Sequence, residues 1–175
     1  TYCGQNVGAG QLDRLGRGMR ACSLLGALYS VAALGGMVLF SRSCAMLFLD
    51  PAEPELELLV SLTSQYILIN SAFFLPLSLV NIVRFSIQGM GYSAFAILAG
   101  VLEMIARAGV AFFLVPTLGY AAACFASPAA WICADLFLLP ASLLCIHRLR
   151  QQIPASAPRR HPVAAEHRPI SAAQA

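Results

Sequence analysis

Lysine is missing from this chain: all eleven basic residues are Arg, and charged residues make up only 11% of the 175. A soluble domain carries about 25% charged residues. With 59% hydrophobic residues and a mean hydropathy of +0.74, the chain reads instead as a membrane protein. Histidine occurs only at His147, His161 and His167, at or beyond the last apolar run. No span therefore offers a histidine base to face a nucleophile, which argues against a membrane enzyme such as an intramembrane protease. The six cysteines, Cys3, Cys22, Cys44, Cys124, Cys133 and Cys145, form no C-x-x-C pair and show no zinc-type spacing with histidine. Those in apolar runs (Cys22, Cys124, Cys133 and Cys145) read as reduced packing residues. No metal site, cofactor or nucleic-acid partner is indicated. No short apolar run with a cleavage site precedes the first long one. Because the chain opens on Thr1 in loop-like sequence, the expectation is a piece of a longer protein.

The stretch Glu57 to Gly91 organises the reading. It is apolar enough to enter a bilayer, yet it carries Tyr66, Asn70, Asn81, Arg84 and Gln88. Steps of four, eleven, three and four residues keep these positions on one side of a 3.6-residue helix. Polar groups left unsatisfied in lipid cost several kcal/mol each. The stripe should therefore face other helices or a wet cavity. Two readings stay open: a transport pathway, or amides that bond neighbouring helices together. At about 1.5 Å per residue the stretch is about 50 Å long, against a hydrocarbon core of about 30 Å. It must start at the interface, tilt or bend, and Pro76 is the natural place for a bend.

Taken in order, residues 1–20 read as a cytoplasmic loop and amphipathic lead-in, with Arg14, Arg17 and Arg20 at lipid headgroups. Residues 21–41 form a first span, whose Gly26, Ser30 and Ala33 give a small-residue side for close helix approach. Residues 42–56 read as a loop containing a short apolar element, AMLFL, and then a turn rich in Pro and acids. A third span runs from about Ser93 to Val115. Glu103 and Arg107 lie on one face of it, four residues apart, where they can neutralise each other. Pro116 to Gly119 is a tight turn, and a fourth span runs from about Tyr120 to Ile146. Its Asp135 has no basic residue within a turn, so it must be protonated, partnered by another helix, or wet. That makes it a candidate contact for a proton or cation, beside the plainer reading of a hydrogen-bonded acid near a wet end of the bundle. Residues 147–175 are basic and rich in Pro and Ala, and read as a disordered tail whose arginines touch anionic lipid. The fold class is thus all-α, a polytopic bundle with four transmembrane helices over residues 21–146. Arginine-bearing ends alternate with acidic or neutral ones, which places both termini in the cytoplasm.

Four motifs then carry a resemblance. They are G-Q-N-x-G-A-G at residues 4–10 ahead of a basic helix, F-S-I-Q-G-M-G at 85–91, L-E-M-I-A-R at 102–107, and P-T-L-G-Y at 116–120 with Trp131 beyond. Without a preceding strand, the first is no nucleotide-binding loop. In this order and spacing, over about residues 1–146, they resemble the MATE (multidrug and toxic compound extrusion) transporters.

The resemblance implies the last four helices of a six-helix C-terminal lobe, with an N-terminal lobe missing. It further implies export of small organic, often cationic, compounds against H+ or Na+ by alternating access in the plasma (inner) membrane. Family members that place an acid in the long helix of this lobe put it one turn after a tyrosine. Tyr66 matches that tyrosine, but Asn70 stands at the acid position. This disfavours a sodium site here and fits the DinF-like branch, where coupling is attributed to the missing N-terminal lobe and Glu103 and Asp135 become supporting polar groups. Tyr66, Asn70 and Asn81 would then line the lobe's side of the cavity, an aromatic and two amides able to hold a flat cation, with Glu103, Arg107 and Asp135 as pathway groups. The rival reading is a lipid-linked oligosaccharide flippase of the same superfamily. It calls for basic residues around a pyrophosphate, and only Arg84 and Arg107 qualify.

Overall fold

The computed structural model describes residues 1–152, all of it helix and turn. Most of the sequence-predicted tail, 153–175, lies outside the described residues. Helix α1 covers Tyr2–Gly8 and α2 covers Asp13–Met46. Next come α3 (Leu56–Ala72), α4 (Phe74–Gly89) and α5 (Ser93–Gly109). A wider π turn over Val110–Leu114 leads into α6 (Val115–Leu118), and α7 runs over Tyr120–Gln152. Three segments are long and apolar enough to cross a membrane: α2, Ser93–Leu118 and α7. The pair α3 and α4, bent by 50°, supplies a fourth crossing if taken as one broken span.

The bend is where the sequence asks for it, displaced by one turn. Pro76 has no amide hydrogen, and its ring would strike the carbonyl of Ala72 in a continuous helix. The helix therefore ends at Ala72, Phe73 turns, and Pro76 sits in the first turn of α4, where no donor is needed. The same residue acts similarly at Pro116, where the ladder widens to π geometry just upstream before α6. Chain reversal then falls to Gly119, at φ +61°. Pro128 and Pro140 lie inside α7 without ending it.

Several boundaries differ from the sequence reading. The opening residues contain the helix α1, closed by a left-handed turn at Gly10 (φ 67°). Residues 42–46 extend α2, with no break before Leu47. Helix α7 passes Ile146 and runs six residues further.

Packing follows the apolar seams. On α7, steps of four and three from Cys124 through Pro128, Trp131, Asp135, Leu138, Ser142 and Cys145 to Leu149 place one residue per turn on the inward side. All of these are buried except Trp131, which is partly so. This seam packs on α5 and α4, and α2 packs on α3 and α4. Gly26 makes the α2 to α4 contact close: a Cβ there would lie 3.1 Å from both Ser78 Oγ and Ile82 Cδ1. Ser30 on the same side is buried and donates to the Gly26 carbonyl. At the opposite end of α4, Gly89 meets α1, with a Cβ position 3.2 Å from Cys3 Cβ. With the bent α3 and α4 taken as one crossing, chain order makes successive crossings alternate in direction. The start of α2, the end of α4, the start of α5 and the end of α7 therefore share one membrane face. At the other face the ends are tied by Arg42 to Glu57 at 2.8 Å, and by the Tyr120 hydroxyl donating to the Leu62 carbonyl at 2.6 Å.

Candidate functional site: a broken span beside an intramembrane charge cluster

The polar positions of the long stretch are divided by the break at Phe73. Tyr66 and Asn70 occupy the last two turns of α3, whereas Asn81, Arg84 and Gln88 belong to α4. A step of eleven residues keeps phase only on a continuous helix. The predicted single stripe is therefore two shorter ones set at 50°.

Both asparagines donate within their own helices, and Gln88 is exposed. Asn70 Nδ2 donates to the Tyr66 carbonyl at 2.9 Å, and Asn81 Nδ2 donates to the Leu77 carbonyl at 2.8 Å. Neither forms the interhelical bond of the gluing alternative among the described residues. Tyr66 stays 44% exposed on the outer face of the four-crossing bundle, with Asn70 half-buried beside it. Both amide oxygens remain able to accept. A phenol and an amide thus stand at the mouth of a helix break.

Glu103 and Arg107 meet as the spacing predicts, with Arg107 Nη2 at 3.3 Å from Glu103 Oε2. The spacing on one helix did not reveal the third member. Arg84 from α4 pairs with Glu103 Oε1, and the carboxylate is buried between two guanidiniums. The signal for it lay in the glycines. Gly91, at φ +91°, turns α4 back into α5 as an antiparallel hairpin, which brings position 84 within an arginine's reach of position 103. Two guanidiniums on one carboxylate leave a net positive charge. Arg84 Nε is buried without a hydrogen-bond partner among the described residues. At about 1.5 Å per residue, Glu103 lies about 15 Å along α5, well inside the hydrocarbon depth.

Asp135 sits on the inward seam of α7, only 8% exposed, and its Oδ1 has no hydrogen-bond partner among the described residues. It joins neither the Glu103 cluster nor the Tyr66 pair. Of its three predicted conditions, a partner on another helix is not met among the described residues. A shallow groove between α2 and α3, lined by Ser41, Ser61, Ser64 and Gln65, went unpredicted. Its signal was the i, i+3, i+4 spacing of the polar residues Ser61, Ser64 and Gln65 along α3.

All six cysteines are free thiols. No three His, Cys, Asp or Glu side chains are grouped to hold a metal ion among the described residues.

Two buried acids within long apolar helices, one of them paired with two arginines, beside a span broken at mid-course, are the marks of a pathway through a membrane. No curated protein and no solved structure matches the chain. A family model, MatE, matches residues 1–134, about three-quarters of the chain, from α1 to the middle of α7. The chain is a membrane-embedded helical bundle that belongs to the MatE family of transporters.

Proposed function

We propose that this chain is part of a secondary active exporter that moves small organic, often cationic, compounds out of the cell in exchange for H+ or Na+. The observation that carries the reading is the broken span, with Tyr66 and Asn70 in the last turns before the break. Discontinuous helices supply both binding groups and a hinge in transporters, because the break frees backbone dipoles and lets the two halves tilt. Tyr66 offers a ring face to a flat cation, and Asn70 and Asn81 offer amide oxygens. That set tolerates substrates of varied shape, since none of its groups demands one fixed geometry. Asp135 is the candidate contact for the coupling ion, being buried with no hydrogen-bond partner at Oδ1 among the described residues. On this reading the bundle sits in the inner membrane with both termini of the chain in the cytoplasm, and an N-terminal lobe of the same protein is the moving counterpart. The DinF-like branch remains the proposed placement, on Asn70 at the acid position.

Dye efflux by the full-length protein tests the reading, with pH and sodium varied separately. Tyr66→Ala and Asn70→Leu should lower efflux several-fold at unchanged membrane expression. Wild-type rates in both variants would remove these residues from the pathway.

The convergence of Arg84 and Arg107 supports a second reading, a flippase for lipid-linked oligosaccharides. A net positive cluster inside the membrane favours a phosphate-bearing cargo over a cation. Flipping of a fluorescent polyprenyl diphosphate in proteoliposomes, lost in Arg107→Gln, would favour it. Dye efflux that persists in that variant would favour the exporter.

A further inference from the structure

At the arginine-bearing face a groove of about 630 Å³ opens between the start of α2 and the end of α7, with α4 as its floor. Its walls are apolar along most of their length: Val83 below, then Leu139, Leu143 and Ile146 of α7. Its rim is basic, formed by Arg20 of α2 with His147 and Arg150 of α7. Leu139 and Leu143 are exposed although they lie inside a membrane crossing, so something apolar must cover them.

We propose that this groove binds one anionic phospholipid, with an acyl chain along α7 and the headgroup phosphate held between Arg20 and Arg150. Dimensions and charge argue for that occupant. From Leu139 to Arg150 is eleven residues, about 16 Å of helix. One leaflet of a ~30 Å hydrocarbon core is about 15 Å deep. The apolar section therefore ends, and the basic rim begins, where lipid tails give way to headgroups.

Among the described residues no acid lines the groove. The acid in reach of the rim is Asp13, which meets Arg150 at 3.5 Å with its own side chain 93% exposed. A contact that long and that wet is readily exchanged for a phosphate, which can take two guanidinium donors at once. Arg20 Nε donates to the Gly16 carbonyl at 3.2 Å, which leaves both its Nη groups for the headgroup. His147 is linked to Gln151 at 3.0 Å through its Nε2.

Native mass spectrometry of the full-length protein tests the proposal through retained lipid, a readout independent of transport. The protein is titrated with phosphatidylglycerol or with phosphatidylcholine of the same chains. Wild type should retain one phosphatidylglycerol in preference to phosphatidylcholine. Arg20→Gln with Arg150→Gln should weaken that retention about thirtyfold, from roughly fivefold per arginine at a lipid headgroup. Leu143→Trp, which fills the apolar section and leaves both arginines in place, should also abolish it. Equal retention of the two lipids by wild type would overturn the proposal. So would undiminished phosphatidylglycerol retention in the Leu143→Trp protein, whatever the fate of the double variant. Displacement of the lipid by millimolar glycerol phosphate would assign the rim to a free phosphate and also overturn it.

Discussion

The Arg84 guanidinium on α4 and the Glu103 carboxylate on α5 are joined across the hairpin turned by Gly91, partway along two apolar helices. Glu103 is the buried centre of the cluster, and Arg107 is its more exposed flank, with 45% of its side chain accessible. Removing the centre leaves two cations without a counter-charge. Removing the flank leaves one good pair. Glu103→Gln should therefore destabilise the full-length protein by about 3–5 kcal/mol, the usual cost of stranding a buried charge. Arg107→Gln should cost about 1 kcal/mol or less, in the range of solvent-screened pairs. Thermal unfolding in detergent checks the order.

At the contact of α2 with α4, space decides the outcome. A Cβ at Gly26 would already lie 3.1 Å from Ser78 Oγ and Ile82 Cδ1, so Gly26→Leu must push the helices apart. Overpacking of this kind costs about 1–3 kcal/mol. Gly36 lies on the same helix, with nothing among the described residues within 4 Å of its Cβ position. Gly36→Ala should be neutral or slightly stabilising, because alanine is the better helix former. A melting comparison of the two variants distinguishes a packing contact from a general intolerance of α2.

How much of this was legible beforehand depends on range. The long apolar helices, the small side of α2 and the Glu103 to Arg107 pair followed from local spacing, because helix periodicity places residues three and four apart together. The join of Arg84 to Glu103 did not, since it depends on the turn at Gly91 bringing two helices into register. The polar stripe was misjudged for a related reason. Its eleven-residue step assumed an unbroken helix, whereas Pro76 forces the break at Phe73. The end of α2 was placed too early because the polar residues Arg42 and Ser43 read as loop, although they continue the helix to Met46 beyond the apolar span.

Pro76→Ala tests the break itself. Restoring the amide hydrogen and removing the ring should let α3 and α4 straighten, and stability should hold or rise. Spin labels near the outer ends of α3 and α4 should move apart as the 50° angle opens. Efflux should fall several-fold if the hinge is used in transport. An unchanged label distance would show that packing, not proline, sets the bend.

Asp135→Asn separates a structural from a pathway role for the buried acid. The amide keeps the shape while removing the charge, and Oδ1 has no hydrogen bond to lose among the described residues. Stability should therefore be unchanged or higher, the melting temperature included. Transport should fall steeply if the coupling ion visits this carboxyl. A protein that melts lower and transports normally would assign Asp135 to packing alone.

The central claim is that Tyr66 and Asn70 face water within the membrane. It is tested most directly by thiol labelling of the full-length protein, with its native cysteines replaced. A charged methanethiosulfonate reacts only with a thiolate, which forms in water and not among acyl chains. Tyr66→Cys and Asn70→Cys should label rapidly and be protected by a transported dye. Leu39→Cys, on a 76% exposed apolar face of α2, should label slowly. Labelling of the Tyr66 and Asn70 positions as slow as that of Leu39→Cys, and indifferent to dye, would contradict the account.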